Sequence, residues 1–411
     1  MTTPDRRTLL MAGASTAAAS LLQPELLAAR PRLSAPVRVG LVGVGRQGRA
    51  LLAELGKFET VTVAAYCDTD ERRLSSAARR ARDAQGHPDV ASMLAAHPDL
   101  DAVLVATPTH KHRQPCEEAL AAGKHVYCEA PLAHTVSDAR AIAAAAASSG
   151  KVFQTGFQGR ANPVYGLARS FVRSGAIRDM VTMRAQTNEK NSWQTPASDP
   201  ARSKELNWRL DSEVTLGLPG EVGAQQFDVF HWFRGDYPVK VEAEGGVLAW
   251  RDGRTVADTV HARLTFKDGA ALDWAATLGN SYEGTHEVMM GTMGAVKLAW
   301  SHGWLFKEAD APTQGWEVYA NRQQFHNDEG ITLIAEATKL ASQGKLKEGV
   351  GLPNRPLWYA LDDFLKAVTE GAEVPCSAEE GLRATAVAIK VQESLLAGEA
   401  LAITDADLSS K

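Results

Sequence analysis

A glycine-rich turn between an apolar run and an amphipathic segment is the feature that most restricts the fold of this chain. The apolar run is Val37–Val42, the turn reads Gly-Val-Gly-Arg-Gln-Gly, and the helical pattern after it stops at Gly56. In such a turn the first glycine permits a tight bend, the second allows close approach of a pyrophosphate, and the third permits helix–strand packing. The free N–H groups and positive dipole end of the helix then face the phosphates. The sequence therefore predicts a dinucleotide-binding unit that contacts its ligand through Gly43, Gly45, Arg46, Gln47 and Gly48.

A carboxylate follows the next predicted strand, where a ribose contact is expected. The strand is Val61–Cys67 and the carboxylate is Asp68, roughly 20 residues beyond the glycine turn, as in dinucleotide-binding folds. Because a 2′-phosphate would meet the negative charge of Asp68, the sequence favours NAD over NADP as cofactor. Arg72 and Arg73 lie close by in the sequence, and their positive charges weaken that preference.

A third predicted strand ends in Ala106-Thr107-Pro108, at the same carboxyl edge where parallel sheets bind ligands. His110 and His112 follow, with a spacing that two metal ligands could adopt. No cysteine or carboxylate partner stands at metal-ligand spacing from them. We therefore expect no metal here, and favour a role in lining the cofactor site or starting a helix.

Short apolar runs alternate with helical segments throughout residues 34–155. The predicted strands are Val37–Val42, Val61–Cys67, Ala102–Ala106, His125–Cys128 and Val152–Thr155. Helices are predicted over residues 46–55 and 113–122, and a capping box at residues 135–138 opens an alanine-rich helix. This alternation predicts an α/β domain of the Rossmann type, with a doubly wound parallel sheet and right-handed crossovers.

Residues 156–405 have a different pattern, which predicts an α+β domain with a mostly antiparallel sheet. The predicted strands are Met180–Asn188, Val239–Trp250, Val260–Phe266 and Ala271–Leu278, and Lys267-Asp268-Gly269 is a hairpin signal between the last two. Helices are predicted over Ala224–Phe233, Ile331–Ala341 and Leu357–Glu370, and they cover one face of the sheet. The polar stretch between residues 188 and 220 is poorly periodic, and loops of that length are usually functional.

The first 33 residues read as a targeting segment. Arg6 and Arg7 precede a soft apolar stretch, Thr8–Leu22, and small residues follow near Ala28. This pattern predicts a twin-arginine signal peptide and linker over residues 1–33, and hence export of the folded protein to the periplasm or beyond.

Charge and hydropathy exclude several partners. The net charge is −5 and no basic stripe is present, which argues against a nucleic-acid or anionic-membrane partner. No strongly apolar stretch reaches the length of about 18 residues that a membrane-spanning helix needs. The 4 cysteines include no C-x-x-C pair, so we expect buried free thiols.

One segment carries a family resemblance. Residues 123–132 read Gly-Lys-His-Val-Tyr-Cys-Glu-Ala-Pro-Leu and strongly resemble the Gfo/Idh/MocA oxidoreductases, which include glucose–fructose oxidoreductase and inositol dehydrogenase. Further matches cover nearly the whole chain after the leader: Ala106-Thr107-Pro108 with His112, Gly156-Phe157-Gln158 with Arg160, Asn162, Pro163 and Tyr165, Gly291-Thr-Met-Gly294, Asp363-Phe364 and Glu380-Gly381.

The resemblance implies a Rossmann domain followed by an open-faced sheet domain, with a sugar-like substrate bound between them beside the nicotinamide. It also implies a homo-oligomer formed through the open face of the sheet. Residues that it adds to the cofactor site are Ala106, Thr107, Pro108, His112, Glu129, Ala130, Pro131 and Gln158.

The positions that usually carry the family's proton transfer are altered in this sequence. Most members use the lysine of a Glu-Lys-Pro triplet, with Asp and His four residues apart in Asp-x-Gly-x-His-x-x-Asp. Here the triplet is Glu129-Ala130-Pro131, and the other positions hold Glu221, Gln225 and Asp228. The resemblance assigns the latter three to the catalytic set, although Gln225 cannot exchange a proton at neutral pH. Glu221 can still serve as a base.

Several side chains are candidates for the missing groups. Lys190 opens the polar stretch and is a possible catalytic base, the alternative being a solvated loop lysine. His231 and Tyr282 are further candidates for proton transfer. The predicted substrate contacts are Arg160, Tyr165, Trp193, Trp208 and His286, with the tryptophans stacking on a sugar ring or packing as core residues.

Three functions stay open from the sequence. The first is an NAD-dependent oxidoreductase acting on a sugar or cyclic polyol. The second is a redox-neutral enzyme that cleaves a glycoside by oxidation, elimination and reduction. The third is a cofactor-holding protein that has lost catalysis. Because an exported protein cannot readily exchange spent cofactor, the leader favours NAD that is bound tightly and recycled within each turnover.

Overall fold

The computed structural model describes residues 34–410 except 316, 318, 319, 326 and 327, so the predicted leader lies outside the described residues. The N-terminal half is a six-stranded parallel sheet in the order β3-β2-β1-β4-β5-β6. Its strands are β1 Val37–Val42, β2 Val61–Cys67, β3 Gln85–His87, β4 Ala102–Val105, β5 His125–Glu129 and β6 Phe153–Gly156. Its helices are α1 Arg46–Leu55, α2 Glu71–Ala78, α3 Val90–Ala96, α4 Arg113–Ala121 and α5 Val136–Ser149. The predicted Rossmann sheet is confirmed.

Local signals explain most of these elements. The central strand β4 is buried at all of its positions, as expected for a parallel strand covered on both faces. The expected capping box before α5 is half formed. Thr135 accepts a hydrogen bond from the Asp138 N–H, whereas the Asp138 carboxylate accepts one from Arg113 at 3.0 Å. The short strand β3 has no apolar run, and the sequence pattern did not predict it.

The C-terminal half is built on a ten-stranded sheet in the order β14-β15-β13-β12-β11-β7-β10-β9-β8-β16. Only β7 and β10 pair in parallel, so the predicted mostly antiparallel sheet is confirmed for the described residues. Its strands are β7 Met180–Asn188, β8 Lys240–Gly246, β9 Thr259–Thr265, β10 Ala271–Thr277, β11 Thr285–Gly291, β12 Gly294–Ala299, β13 His302–Lys307, β14 Arg322–Gln324, β15 Glu329–Thr332 and β16 Leu401–Ala402. The hairpin predicted at residues 267–269 joins β9 to β10.

The helices of this half begin with α6 and end with α12. They are α6 Pro163–Arg173, α7 Pro200–Leu206, α8 Ala224–Arg234, α9 Ala337–Ser342, α10 Pro356–Glu370, α11 Ala378–Ala397 and α12 Asp405–Leu408, and a π-helical turn, Pro219–Gly223, leads into α8.

The prediction of a helix over Ile331–Ala341 is wrong for the residues before Ala337. Ile331 pairs with Leu305 of β13 and belongs to β15, and the helix covers only Ala337–Ser342. Apolar residues at 331, 333 and 334 are all buried, and a short apolar run does not by itself distinguish a strand from a helix. The long helix α11 was not predicted, although a capping box between Ser377 and Glu380 opens it.

Two C-terminal helices return to the N-terminal half. Apolar side chains of α10, among them Leu361 and Phe364, share one buried cluster with Leu41 of β1 and Leu51 of α1. Helix α11 packs against α5 on one side and against β8 on the other. The parallel sheet ends with β6 at Gly156, but the packing of the first half includes residues from the second.

The two faces of the C-terminal sheet differ in polarity. Helices α6 and α8 pack on one face, where they bury Phe157, Phe227 and Trp274. The opposite face carries an open groove of about 980 Å³ that is lined largely by charged and polar side chains such as Arg184, Glu244 and His286. No described helix is both long enough and apolar enough to cross a bilayer.

Candidate cofactor and substrate site

The glycine turn has the geometry that its sequence predicts. Gly43 adopts a φ of 86°, and a Cβ atom there would lie 2.7 Å from the Ala106 carbonyl oxygen. A Cβ atom on Gly48 would lie 2.0 Å from the Gly43 carbonyl oxygen, so the helix and the turn meet at van der Waals limits. At Gly45 the nearest atoms belong to the Arg73 guanidinium and begin at 3.6 Å, which leaves room in front of the turn.

The start of α1 offers free hydrogen-bond donors beside this turn. Among the described residues no side chain caps the helix at Gly45. The first N–H groups of a helix have no partner within the helix, and they carry the positive end of its dipole. This arrangement fits a pyrophosphate, because the donors and the open space at Gly45 lie together.

Asp68 holds the glycine turn in place. Its Oδ2 accepts a hydrogen bond from the Val44 N–H, and its Oδ1 accepts one from the Asp70 N–H, both at 2.9 Å. The Arg73 guanidinium lies 3.9 Å from the same carboxylate. A positive charge therefore stands beside the carboxylate predicted to bind the ribose, close to the open space at Gly45.

The loops after β4 and β5 are joined by a buried histidine. The His112 ring lies between two carbonyl oxygens, with Nε2 3.0 Å from that of Thr107 and Nδ1 3.2 Å from that of Leu132. Burial lowers the pKa of His112. The predicted cofactor contacts Ala106, Thr107 and Pro108 are partly exposed along this edge.

Glu129 ends β5 in a buried position. Its Oε1 accepts a hydrogen bond from the Gln47 side chain at 2.9 Å, which connects it to α1. Burial raises the pKa of Glu129 to about 7, against the opposing effect of the Gln47 hydrogen bond. Ala130 packs against the core of the C-terminal half, and Pro131 is buried, so position 130 supplies no group that exchanges a proton.

The predicted catalytic residue Glu221 is engaged on both of its oxygens. It lies on the π-helical turn Pro219–Gly223, and its Oε1 accepts a hydrogen bond from the Thr109 hydroxyl at 2.9 Å. Its Oε2 accepts one from Arg209 Nε at 2.8 Å, and the side chain is 4% exposed. The carboxylate joins the loop after β4 to the polar stretch before α8.

Gln225 and Asp228 have bonding partners within the protein as well. Gln225 donates to the Gly156 carbonyl at 2.9 Å and accepts from the Gln158 N–H at 3.1 Å. Asp228 is 1% exposed and receives hydrogen bonds from Arg160 Nε and Nη2. In this geometry both residues hold the segment after β6 against α8.

Arg160 and Tyr165, which are predicted substrate contacts, both have bonding partners inside the protein. Arg160 forms ion pairs with Asp228 and Glu380 and is buried. The Tyr165 hydroxyl donates to Glu287 at 2.6 Å and accepts from the Trp300 N–H at 3.1 Å, and the residue is 1% exposed. Their polar groups are used inside the protein, because the sheet brings them partners that are far away in the sequence.

Four further candidates lie away from this edge. The side chain of Lys190 is exposed, and its backbone N–H donates a hydrogen bond to Ser281 Oγ. Glu287 of β11 bonds Tyr165 of α6 and Gln226 of α8, so its side chain lies on the helix-covered face of the sheet. Neighbouring residues of a strand point to opposite faces, and the side chain of His286 accordingly lines the open groove. His231 stacks on Tyr237 with ring centroids 3.6 Å apart. Tyr282 is 74% exposed.

The polar stretch brings aromatic and basic side chains to the sheet edge. The Trp208 ring is 8% exposed, and its centroid lies 5.7 Å from that of His110. The Arg209 guanidinium lies 4.5 Å over the same indole ring. Trp193 is partly buried against the core of the C-terminal half, and the Arg209 guanidinium lies 5.9 Å from its ring centroid as well.

His110 was not predicted as a proton-transfer group. Its Nδ1 is buried without a hydrogen-bond partner among the described residues, and its ring centroid lies 6.0 Å from that of His134. Burial lowers the pKa of His110 to about 4, and the nearby charge of Lys111 acts in the same direction. The imidazole is therefore neutral near pH 7, and one of its ring nitrogens has a lone pair that can accept a hydrogen bond. One sequence signal could have indicated a role for it: the loop after β4 contains His110 and the loop after β5 contains His134.

These features describe a dinucleotide-binding oxidoreductase fold, and comparison with known proteins identifies its family. Residues 37–157 match the model of the oxidoreductase family NAD-binding Rossmann fold, and residues 186–402 match the C-terminal alpha/beta domain of the same family. The chain belongs to the Gfo/Idh/MocA oxidoreductase family.

Its relatives include dehydrogenases of sugars and polyols. Inositol 2-dehydrogenase of Acidothermus cellulolyticus is 38% identical over 143 residues, which are 34% of this chain and 42% of that protein. Levoglucosan dehydrogenase of Pseudarthrobacter phenanthrenivorans is 25% identical over 326 residues, with 72% and 78% coverage. A solved structure of a levoglucosan dehydrogenase with NADH and levoglucosan superposes with a TM-score of 0.71 at 21% identity, covering 90% of this chain and 100% of that one.

Proposed function

We propose that this protein oxidises a carbinol carbon of a sugar or cyclic polyol, or reduces the corresponding carbonyl, and keeps its nicotinamide cofactor bound throughout turnover. The observation that carries the proposal is the His110 imidazole at the edge that carries the glycine turn, where its buried Nδ1 has no hydrogen-bond partner within residues 34–410 as far as they are described. The sugar and polyol dehydrogenases among its relatives support the substrate class.

The residues at the sheet edge fit a nicotinamide dinucleotide. The uncapped start of α1 and the open space at Gly45 suit the pyrophosphate. Asp68 suits the adenosine ribose and favours NAD over NADP, while Arg73 adds a charge that would attract a 2′-phosphate. Segments 106–108 and 129–131 would hold the nicotinamide half. When bound, the nicotinamide supplies the hydride acceptor or donor.

Within this site His110 is the proposed acid–base group. It accepts the proton of the substrate hydroxyl during oxidation and returns it during reduction. Its neighbour Thr109 is fixed by Glu221, and Glu221 is fixed in turn by Arg209. We therefore propose that Glu221 orients the loop that carries His110. Gln225 and Asp228, which lie on α8, hold the segment after β6 against that helix.

Location and cofactor retention belong together in this proposal. A chain exported through the twin-arginine pathway folds and loads its cofactor before it leaves the cytoplasm. Outside, a retained cofactor must be restored within each cycle, either by a second sugar substrate or by return of the hydride to the same substrate. The latter is the redox-neutral glycoside cleavage, which stands as the second candidate function.

One set of incubations tests the proposal. Protein purified from the periplasm should contain nucleotide that survives gel filtration, and sugars such as myo-inositol or levoglucosan should change its absorbance from the oxidised to the reduced form. Release of phenol from an aryl glycoside without net reduced cofactor would establish the second candidate. A protein that binds sugar but never changes the redox state of its nucleotide would refute both and leave a binding function.

We also propose that the open face of the C-terminal sheet mediates self-association. The groove on that face has both signs of charge, including Arg184, Lys297, Glu242 and Glu283, which suits a self-complementary contact. Light scattering on the purified protein should report a mass that is a multiple of the 44.1 kDa chain, less the leader. Replacing Arg184 with Glu should lower that mass, and a wild-type monomer would refute the proposal.

A further inference from the structure

The polar stretch between β7 and α8 contains a segment that reaches across to the N-terminal half. This segment, Asp199–Asp211, consists of α7 and a short 3-10 helix, Trp208–Leu210, and is named the strap below. Its first anchor is Arg202, which donates from Nη2 and Nε to Asp70 Oδ2 at 2.8 and 3.0 Å. Asp70 is the N-cap of α2, directly after β2.

The second anchor of the strap lies after β4. Arg209 donates to Glu221, and the other oxygen of Glu221 accepts from Thr109 in the loop after β4. Beside this pair the Trp208 ring is buried against His110 of the same loop. The strap is therefore held at the carboxyl ends of two strands of the parallel sheet.

The order of the strands shows what lies between these anchors. Strand β1 is hydrogen-bonded to β2 on one side and to β4 on the other, and the glycine turn follows β1. Two strand spacings amount to about 10 Å. The residues from 202 to 209, most of them helical, span a similar length of about 10 Å at a rise of about 1.5 Å each. The strap therefore crosses the edge at the glycine turn.

The strap and the glycine turn do not bond to each other. Across the described part of the chain, no hydrogen bond or ion pair joins residues 199–211 to residues 43–48. The strap therefore covers the N–H groups at the start of α1. Its ion pairs to the first half lie on either side of these groups and not at the groups themselves. A pyrophosphate is the ligand whose charge suits those N–H groups.

We infer that the strap is a cover that retains the dinucleotide, and that Arg202 and Arg209 are the positioning residues that keep it closed. The inference rests on the proposed function, because retention matters for a cofactor recycled within turnover. Release of the dinucleotide then requires the strap to lift. Both ion pairs are partly buried, with 9% exposure for the Asp70 side chain and 4% for that of Glu221, so breaking them costs more than breaking a surface pair.

The test is the rate at which the protein releases NADH. The holoprotein is mixed with excess NAD, and the fluorescence of bound NADH is followed as it dissociates. Arg202→Ala and Asp70→Asn should each accelerate release about tenfold, the change expected for the loss of about 1.4 kcal/mol of closure. Asparagine is a good N-cap residue, so Asp70→Asn removes the charge and keeps the cap of α2. The double variant should release NADH no faster than either single variant, because both remove the same pair.

Lys204 provides a matched control on the same helix. Its ammonium lies 3.5 Å from Asp211, so that pair joins two residues of the strap and does not reach the N-terminal half. Lys204→Ala should leave the release rate unchanged. The melting temperature of each cofactor-free variant separates a loss of closure from a loss of folding, because a misfolded strap variant would also melt earlier.

Two results would overturn the inference. One is a release rate in Asp70→Asn and Arg202→Ala equal to that of the wild type. The other is an acceleration in Lys204→Ala as large as in those variants. Failure of the proposed function looks different, because a wild-type protein that oxidises no sugar can still release NADH slowly and respond to the strap variants. A wild-type protein that binds no NADH would refute both.

Discussion

Replacing Glu287 with glutamine should remove a pH dependence from the stability of the fold. Glu287 is 2% exposed on β11 and receives hydrogen bonds from Tyr165 at 2.6 Å and Gln226 at 2.8 Å. Burial raises the pKa of Glu287 to about 7, although both hydrogen bonds oppose that rise. The folded protein therefore keeps a proton on this carboxyl at pH values where the unfolded chain has lost it.

The sign and size of the effect follow from that difference. Because the folded pKa lies above the ordinary value of 4.5, the free energy of unfolding is highest at low pH and falls as the pH rises towards about 7. The full loss amounts to roughly 3 kcal/mol, of which about 2.5 kcal/mol develops between about pH 5 and about pH 8. Glutamine is neutral at every pH and has a similar shape. The free energy of unfolding of Glu287→Gln should therefore not show this fall of about 2.5 kcal/mol.

Urea unfolding followed by tryptophan fluorescence measures the effect. The wild type and Glu287→Gln are compared at both pH values, and every other titrating group contributes equally to the two proteins. Glu373→Gln serves as a control, since Glu373 is an exposed glutamate and its replacement should leave the wild-type pH dependence intact. An equal fall in stability for the wild type and Glu287→Gln would show that the buried carboxyl is already ionised at low pH, and would refute the reasoning.

Four further outcomes are expected. His110→Asn should lower turnover by about 10² to 10⁴-fold while NADH binding, measured by fluorescence titration, is retained. The wild-type rate should fall as the pH approaches about 4, where His110 becomes protonated, and a limb near pH 4 that persists in His110→Asn would contradict this assignment. Arg73→Ala should weaken NADP binding relative to NAD by about tenfold, since the guanidinium beside Asp68 would otherwise attract the 2′-phosphate. Changing Arg6 and Arg7 to lysine should leave the protein in the cytoplasm, as immunoblots of cell fractions would report, and undiminished periplasmic protein would remove the export proposal.

Local patterns predicted the cofactor half of the molecule well. Strands β1 and β2 and helix α1 have the bounds that the sequence predicts, because each strand is a short apolar run and the helix is an amphipathic segment that ends before Gly56. The doubly wound topology follows from their alternation. The capping motif before α5 was recognised from the sequence, but the Asp138 carboxylate of that motif accepts a hydrogen bond from Arg113, which lies on α4. Such a partner lies outside any sequence window.

The roles of the site residues could not be obtained in the same way. Glu221 was assigned to catalysis because it occupies a motif position of the resembled family, whereas its neighbours in space, Thr109 and Arg209, come from a loop of the other half and from the polar stretch. Asp228 is likewise paired with Arg160, 68 residues earlier. Hydrogen-bond capacity is decided by the whole fold, so spacing alone identifies a position on a helix without identifying its partners.

The return of α10 to the first half determines how this chain can be divided and recombined. Residues 356–370 cover apolar side chains of β1 and α1, and they are linked to that surface only through the whole second half of the chain. A fragment ending near residue 155 would expose this surface to water and should aggregate when expressed alone. A chimera that exchanges the nucleotide-binding half with a relative should therefore exchange α10 with it. A split protein would need its two pieces produced together.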